Sequence, residues 1–542
     1  MKPLRVVLLS FGGIMMALVL VVFVAAATSI LAYRAFLGGA VSSSIRYQKI
    51  ALPLTSTLSS ITLRSNNTMR CWETSLELLS LPPSLETAIV ATGDTYNKSG
   101  VIALAPFETI VSKAEQNASD LGVCLDSSWI ARALISQPQR DSLQKKLTTG
   151  QVTLHVLNSL FESNQTWVIM FQNTNELRPT GGFTGSYALV EVRDKTLQIV
   201  AVEDIYDADG QVQRFREAPL GISTYTSGND GLHLQDANWW PDFPTSAQTQ
   251  LDFLAEAGKK NLTGLVSINL TLLQDILRII GPLPLPDYQT TLTPENAPLL
   301  LRAHAENFFP SSRGKKQLLT YALQQLRYQV FSLTAEQRQE LLLLFKKAVE
   351  TKEIQFFSTV PDQQSALKIA GAAATLEETT APIIALVEAN VGINKSNQFI
   401  SRSMTVEQRD DVLEITLSLK NNADQLAPSL PASQSGYVDY QRIISSKNLP
   451  TTAILSEQFQ EIPSADSDWI ASDGTPFNDR GFLLTVLPGQ TQVTRVRLVR
   501  TDRAQPFLLW HQSGTGKIPL TLVEKNGETR TVSFEKDMLI TP

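Results

Sequence analysis

Histidine and cysteine are scarce in this chain, which limits the metal chemistry that it can support. The 542 residues include four histidines and two cysteines. Zinc sites in proteins depend on closely spaced nitrogen and sulfur ligands. No H-x-x-x-H or mixed cysteine/histidine spacing occurs among the histidines, which are His155, His233, His304 and His511. The sequence therefore argues against a zinc site.

The chain also lacks a block of basic residues. Lysine and arginine number 46 against 52 aspartates and glutamates, and the formal net charge is −6. Proteins that bind nucleic acids present a basic patch or stripe to the phosphate backbone. We therefore expect no nucleic-acid partner. The hydrophobic content of 43% is typical of a folded chain rather than a disordered one.

A single long hydrophobic run, from Val6 to Tyr33, contains no charged residue. It exceeds the roughly 20 residues that cross a bilayer and the core of a cleavable signal peptide. The small residues at Ala25–Ser29 leave cleavage open, and the flanking lysines and arginines do not decide the orientation. A short head before a large body favours a signal anchor at residues 1–34. We predict a single-pass protein of the cell membrane, with its bulk extracytoplasmic.

The two cysteines, Cys71 and Cys124, fall in the same region of the chain. In an oxidising compartment they can form a disulfide that closes a long loop, which stabilises a fold by roughly 2–4 kcal/mol. Two buried free thiols fit the sequence as well. The predicted extracytoplasmic location favours the disulfide.

Changes in the hydrophobic pattern divide the rest of the chain and predict an α+β multidomain protein. Helical periodicity comes first, then strands alternate with helices, and finally strands follow one another with polar turns. The predicted parts are a helical spacer or stalk at 35–155, a central layered α/β domain at 156–360, a helical linker at 361–396 and a β-sandwich at 397–542.

The stretch from Asn173 to Ser186 joins two predicted strands and holds a carboxylate, a guanidinium and three glycines. Gly181 and Gly182 permit positive φ and the close approach of a backbone or an anionic ligand. Arg178 offers a planar, permanently charged fork suited to phosphate. A tight connection in which Arg178 pairs with Glu176 explains the same residue types, and both interpretations remain open.

A cluster of carboxylates follows the third predicted strand of this region. Carboxylates so close together repel one another unless they are solvated, spread apart or neutralised by a cation. Mg²⁺ usually binds through one or two carboxylates and phosphate oxygens, which makes Asp204 and Asp207 candidate ligands. An exposed acidic turn is the alternative. The cluster comprises Glu203, Asp204, Asp207 and Asp209.

Aromatic residues are concentrated between Gln235 and Ala247, where two prolines exclude a regular element. Aromatic side chains in a loop either close the edge of a core or form a platform for sugar rings or lipid. Trp239 is the candidate ligand contact in this loop. In the predicted sandwich, Trp469 or Trp510 is a candidate for carbohydrate contact.

These motifs resemble the bacterial envelope family called domain of unknown function 4012. The resemblance is carried by N-x-x-E-L-R-P-T-G-G-F-x-G-S from Asn173 and continues over most of the chain. The order of elements is in turn similar, more faintly, to the LytR-CpsA-Psr phosphotransferases, which attach lipid-pyrophosphate-linked glycopolymers to cell wall. The further segments that carry the resemblance are Val202–Asp207, Asp236–Ala247, Gly281–Leu283, Asn390–Asn397 and Tyr437–Arg442.

The phosphotransferase resemblance implies that a basic helix start contacts pyrophosphate. Arg313, Lys315 and Lys316 are similar to that element. An Arg-Asp pair of the phosphotransferases is replaced by Tyr206-Asp207, so the resemblance departs from the family there.

Three function classes follow from the sequence. The first is a Mg²⁺-dependent glycopolymer phosphotransferase, in which Arg178, Asp204 and Asp207 are catalytic and Arg313 neutralises the developing charge. Its ligand-binding residues would include Glu176, Gly181, Gly182, Arg313, Lys316 and Trp239. The second class binds a polyprenyl-pyrophosphate glycan or a cell-wall glycan without turnover. The third is a non-catalytic envelope scaffold.

Overall fold

A computed structural model describes most of the chain beyond residue 100. The described residues are 101–127, 132, 136–162, 164–297, 320–326, 329–330, 332–378, 381–500, 502, 504–524 and 527–541, with isolated positions between 74 and 96. They form two compact units. One unit ends at residue 164 and also includes 192–198, and the other comprises 165–191 and 199–542.

Two long helices dominate the described part of the first unit. Helix α1 spans Ala105–Ser127 and helix α2 spans Gln137–Glu162. The helices are joined by polar contacts, in which Ser112 and Glu115 of α1 both bond to Asn158 of α2. The short strand β1, Ile102–Ala103, pairs antiparallel with Thr196 and Leu197.

The second unit contains a mixed sheet in the order β4-β3-β2-β5-β8. Strands β2 and β5 are parallel, and β8 is antiparallel to β5. The strands are β2 (Gln165–Arg178), β3 (Gly181–Arg193), β4 (Thr196–Asp204), β5 (Leu262–Asn269) and β8 (Ile354–Ser358). A separate hairpin is made by β6 (Leu283–Leu285) and β7 (Thr290–Leu292).

Helices cover both faces of this sheet, as the predicted α/β layering requires. On one face, Val168 and Met170 pack with Phe243 and Leu251 of helix α5. On the other face, Val266 packs with residues of α6 and α7. The helices are α3 (Ile205–Asp209), α4 (Leu220–Tyr225), α5 (Phe243–Glu256), α6 (Leu270–Ile280), α7 (Ala335–Glu350) and α8 (Pro361–Ile369).

Helix starts in this unit follow ordinary capping chemistry. Asp242 precedes α5, and its carboxylate accepts a hydrogen bond from the backbone of Thr245 at 3.2 Å. Thr334 and Gln337 form a reciprocal capping box at the start of α7. Each contact satisfies backbone N–H groups that a helix start leaves without an intrahelical acceptor.

The predicted β-sandwich is present, and both of its sheets have six strands. The sheet orders are β13-β16-β11-β10-β18-β19 and β14-β15-β12-β9-β17-β20. Alternate residues of both sheets form one buried core that includes Ile415, Val496, Ile443 and Phe482. The strands are β9 (Ile383–Val387), β10 (Ile400–Arg409), β11 (Val412–Asn421), β12 (Tyr437–Ser446), β13 (Thr451–Ser456), β14 (Ala465–Ile470), β15 (Pro476–Val486), β16 (Thr491–Val499), β17 (Phe507–Trp510), β18 (Ile518–Val523), β19 (Thr529–Phe534) and β20 (Met538–Ile540).

Part of the stretch expected to be a helical linker belongs to the sandwich. Residues 361–396 contain helix α8, but they also contain strand β9, which lies between β12 and β17. All five residues of β9 are buried. A short apolar run buried on both faces lacks the alternation by which a half-buried strand is identified.

The predicted membrane anchor requires a correction. No helix in the described parts of the chain is long and apolar enough to cross a membrane. The run from Val6 to Tyr33, on which the prediction depended, lies outside the described residues. The structure thus does not support the predicted single-pass anchor or the cell-membrane location inferred from it.

Candidate ligand cleft and the motif junction

The glycine-containing stretch is a tight hairpin turn rather than an open loop. Strand β2 continues through Glu176 to Arg178, and β3 begins at Gly181, so that only Pro179 and Thr180 form the turn. Glu176 and Arg178, which were predicted to lie in a loop, are therefore strand residues. Their side chains bond to Asn390 and Lys395, in the segment that precedes strand β10 of the sandwich.

Arg178 is buried, with 3% of its surface exposed. Its Nε donates to Asp236 Oδ1 at 3.2 Å, and its Nη2 donates to Glu176 Oε1 at 3.2 Å. Its Nη1 donates to the backbone oxygen of Asn390 at 2.7 Å and to that of Leu177 at 3.3 Å. Burial alone would lower the pKa of Arg178, but Asp236 and Glu176 raise it above the ordinary value. The guanidinium is held within the protein instead of facing an external anion.

Glu176 is held from two sides. One carboxylate oxygen accepts from Arg178 and the other from Lys395. The segment of Lys395 is further tied to β2 because Asn397 Oδ1 accepts from the backbone N–H of Leu177 at 3.0 Å. We call Glu176, Arg178, Asp236, Asn390 and Lys395 the motif junction. It joins three segments that carried the family resemblance.

The two glycines of the turn are approached by the protein itself. A Cβ on Gly181 would lie 2.3 Å from Asn269 Oδ1 and 2.6 Å from Gln172 Oε1, and its φ is +138°. A Cβ on Gly182 would lie 2.3 Å from the backbone carbon of Asn173. The expected close approach is therefore present, but protein atoms fill the space that was predicted for an anionic ligand.

Tyr206 responds electrostatically to the carboxylates of the motif junction. It is 55% exposed. Burial of the phenol, followed by the charges of Glu176, Asp236 and Asp204, raises the pKa of Tyr206 to about 12. The phenol of Tyr206 therefore stays protonated at neutral pH.

The acidic cluster after β4 makes contacts within the protein. Asp204 is the N-cap of α3 and accepts from the backbone of Tyr206 at 3.0 Å. Asp209 accepts from the backbone of Leu234 at 2.7 Å. Glu203 accepts from Lys259 at 2.8 Å. The described residues contain no group of three or more candidate metal ligands. Magnesium binding by Asp204 and Asp207 stays a prediction.

Some predicted residues lie outside the described part of the chain. These are Arg313, Lys316 and Cys71. Cys124 is disulfide-bonded, and Cys71 is its partner in the prediction.

Trp510, one of the two candidate carbohydrate contacts in the sandwich, is enclosed. It is 2% exposed, and Lys352 Nζ lies 3.5 Å from the centre of its ring. A sugar cannot stack on this indole without displacing Lys352. Trp469 is half-buried and lines a cleft, together with Trp239 and the half-buried Trp240. Trp239, the predicted ligand contact, is only 3% exposed and packs mainly in the core.

This aromatic cleft has a volume of about 340 Å³. One wall comes from the loop before α4 and from Trp239 and Trp240, and the opposite wall comes from the sandwich sheet. We define the aromatic cleft by Trp239, Trp240, Tyr440, Trp469, Arg442 and Asp479, together with Glu217, Gly221, Ser467 and Asp468. Its size lies within the usual range of small-ligand pockets.

The aromatic rings of the cleft are fixed by stacking. Trp239 stacks on Tyr440 with ring centres 5.9 Å apart and planes 21° apart. Trp469 stacks on Phe477 at 5.6 Å and 28°. Gly221 permits the first contact, because a Cβ there would lie 2.4 Å from Tyr440 and 2.5 Å from Trp239. The rings are thus positioned before any ligand arrives.

The floor of the cleft is a buried ion pair. Arg442 Nη2 donates to Asp479 Oδ2 at 2.6 Å, and Arg442 Nε donates to both oxygens of that carboxylate at 3.1 and 3.2 Å. Arg442 Nη1 donates to the backbone oxygen of Trp239 at 2.7 Å. This last bond ties the two walls together.

Sequence reasoning identified Trp239 and Trp469 separately but missed Tyr440 and Arg442 as partners. Both belong to strand β12, two residues apart, and therefore project from the same face. Ile443 belongs to the core between the two sheets. Two large side chains with polar ends on the face opposite to a core position were the available signal.

The buried residue His511, whose backbone oxygen accepts a hydrogen bond from Lys352, should make the stability of the fold depend on pH. Burial and the charge of Lys352 lower the pKa of His511 from 6.5 to about 4. Between these pH values the unfolded chain binds a proton that the folded chain does not bind. Stability is therefore lost as the pH falls. We expect the free energy of unfolding to fall by about 3 kcal/mol over this range, as measured by urea unfolding.

Replacement of His511 by glutamine isolates this contribution from that of the carboxylates. His511→Gln should flatten the pH dependence by the same amount. His155→Gln is the matched control, because the side chain of His155 is 71% exposed. If His511→Gln leaves the pH dependence unchanged, His511 titrates alike in the folded and unfolded chains.

Comparison with known proteins gives one family match. Residues 162–305 match the family described as "Protein of unknown function (DUF4012)". No curated protein matches the chain. Among solved structures, protein gbs0355 from Streptococcus agalactiae is similar over 40% of this chain and 77% of its own, with 13% identity and a TM-score of 0.25. A TM-score this low does not establish a shared fold.

Proposed function

This chain belongs to the DUF4012 family, and on that premise we propose that it binds a glycan in the aromatic cleft without turning it over. The observation that carries the proposal is that two distant segments meet in one cleft. Trp239 and Trp240 come from the part that matches the family, and Tyr440 and Arg442 come from a later segment that resembles it.

The chemistry of the aromatic cleft suits a sugar. The C–H face of a pyranose ring is apolar and packs on the negative face of an aromatic ring. Sugar hydroxyls donate to carboxylates, and the exposed carboxylate of Asp468 lines the same cleft. A polyprenyl chain has no hydrogen-bond donors to offer such a carboxylate. A nucleic acid would meet like charges.

Binding is favoured over phosphotransfer because of Arg178. A phosphotransferase needs a cation that meets the transferring phosphate. The guanidinium of Arg178 bonds to Asp236, Glu176 and two backbone oxygens. Those bonds would have to break before Arg178 reached a phosphate.

The test is calorimetric titration of the full chain with uncharged oligosaccharides, including tetramers of N-acetylglucosamine and of glucose. We expect at least one of them to bind, and Trp240→Ala to weaken that binding about tenfold through the loss of stacking. Phe459→Ala is the matched control, because Phe459 is an aromatic residue 57% exposed outside the cleft. Equal losses in both variants would contradict the assignment. Chromatography of the recovered sugar should show no product.

A further inference from the structure

The charges around the aromatic cleft define which glycans fit it. The ionisable groups that line it are three carboxylates, those of Glu217, Asp468 and Asp479, one guanidinium, that of Arg442, and the phenol of Tyr440. The guanidinium is bound to Asp479 through two of its nitrogens and to the backbone of Trp239 through the third.

Arg442 is therefore poorly placed to receive an anionic ligand. The Arg442 and Asp479 side chains are 3% and 4% exposed, and together they carry no net charge. The charged groups at the rim are the carboxylates of Glu217 and Asp468 and the ammonium of Lys447, so one negative charge is left in excess. Glu217 is exposed, and Asp468 has a side chain 80% exposed and an ion pair with Lys447. A carboxylate or phosphate on the ligand would be repelled by this excess negative charge.

We propose that the aromatic cleft selects amino sugars, whose protonated amine meets the acidic rim while the ring stacks on tryptophan. This inference rests on the glycan-binding function proposed above. A cation near an aromatic face gains a further attraction from the ring quadrupole, which adds to the attraction of Glu217 and Asp468.

Three probes of similar size test the selection: a tetramer of glucosamine, a tetramer of N-acetylglucosamine and a tetramer of galacturonate. At about pH 5.5 the sugar amines carry a proton and exposed carboxylates are ionised. We expect the glucosamine tetramer to bind about threefold to tenfold more tightly than the acetylated tetramer, and the galacturonate tetramer to bind most weakly. Raising the salt from about 20 mM to about 500 mM should reduce the difference.

Variants locate the source of the preference. The double variant Glu217→Gln with Asp468→Asn should remove the preference for the free amine and keep the affinity for the acetylated tetramer. Asp287→Asn, an exposed position on the β6–β7 hairpin, is the matched control and should change neither affinity.

The possible failures are distinguishable. If none of the three tetramers and no uncharged oligosaccharide binds, the proposed glycan binding is contradicted, and so is the proposed selection for amino sugars. If the acetylated tetramer binds equally well or better, or if the galacturonate tetramer binds most tightly, only the selection for amino sugars is overturned. A preference that survives in the double variant also overturns it, because the rim carboxylates would not be its cause.

Discussion

Replacing Arg178 with alanine is expected to lower the free energy of unfolding by about 3–5 kcal/mol, as measured by urea unfolding. The substitution leaves the carboxylates of Glu176 and Asp236 without the guanidinium that neutralises them. Glu176 is 2% exposed, and Lys395 is the charged partner that it retains among the described residues. The variant also removes the bond to the backbone of Asn390, which holds the segment leading into the sandwich.

Two further variants make this result specific. Arg178→Lys should recover little of the loss, because an ammonium cannot reproduce the separate bonds of the guanidinium fork. Arg214→Ala is the control, because the Arg214 side chain is 78% exposed and lies 4.0 Å from Glu256. It should change stability by less than about 0.5 kcal/mol. If Arg178→Ala unfolds at nearly the same urea concentration as the unmodified protein, the motif junction does not contribute to the stability of the fold.

Replacing Gly182 with alanine is expected to cost about 3 kcal/mol or more, again by urea unfolding. The new methyl group would lie 2.3–2.5 Å from three backbone atoms of Asn173 and Thr174. Backbone atoms in a paired strand cannot rotate away as a side chain can. The hairpin must therefore open or shift, and the side chains of the motif junction shift with it.

Gly150→Ala provides the matched control. Gly150 lies within α2, and apart from the adjoining helix backbone no atom of the described residues lies within 4 Å of the position that its Cβ would take. Alanine there should stabilise the helix by about 0.5–1 kcal/mol. A similar gain or a small loss in Gly182→Ala would contradict the close packing around the turn.

The sequence predicted the layered sheet and the sandwich but placed the ends of β2 and β3 wrongly. Polar residues such as Arg178 and Glu176 are typical of loops, and only the partners that bury them make them strand residues. Those partners, Asn390 and Lys395, lie more than two hundred residues later in the chain. The pairing of Arg178 with Glu176, which residue types left open, is the one that the structure has.

The cleft was harder to predict than the motif junction. Trp239 and Trp469 were each predicted as candidate ligand contacts, but no periodicity connects a loop near residue 240 to strands beyond residue 430. The family resemblance included both Tyr437–Arg442 and the tryptophan loop without saying that they meet. Whether two distant segments meet depends on the strand order and on how the elements pack. Local patterns in a single sequence do not show either of these.

The most direct test of the account is a ¹⁹F NMR titration of the protein labelled with 5-fluorotryptophan, with single Trp→Phe variants used for assignment. On addition of an oligosaccharide that binds, we expect the resonances of Trp240 and Trp469 to move. Those of Trp167 and Trp510, which are 9% and 2% exposed and do not line the cleft, should stay in place. Movement confined to Trp167 and Trp510, or no movement at saturating sugar, would contradict binding in the aromatic cleft.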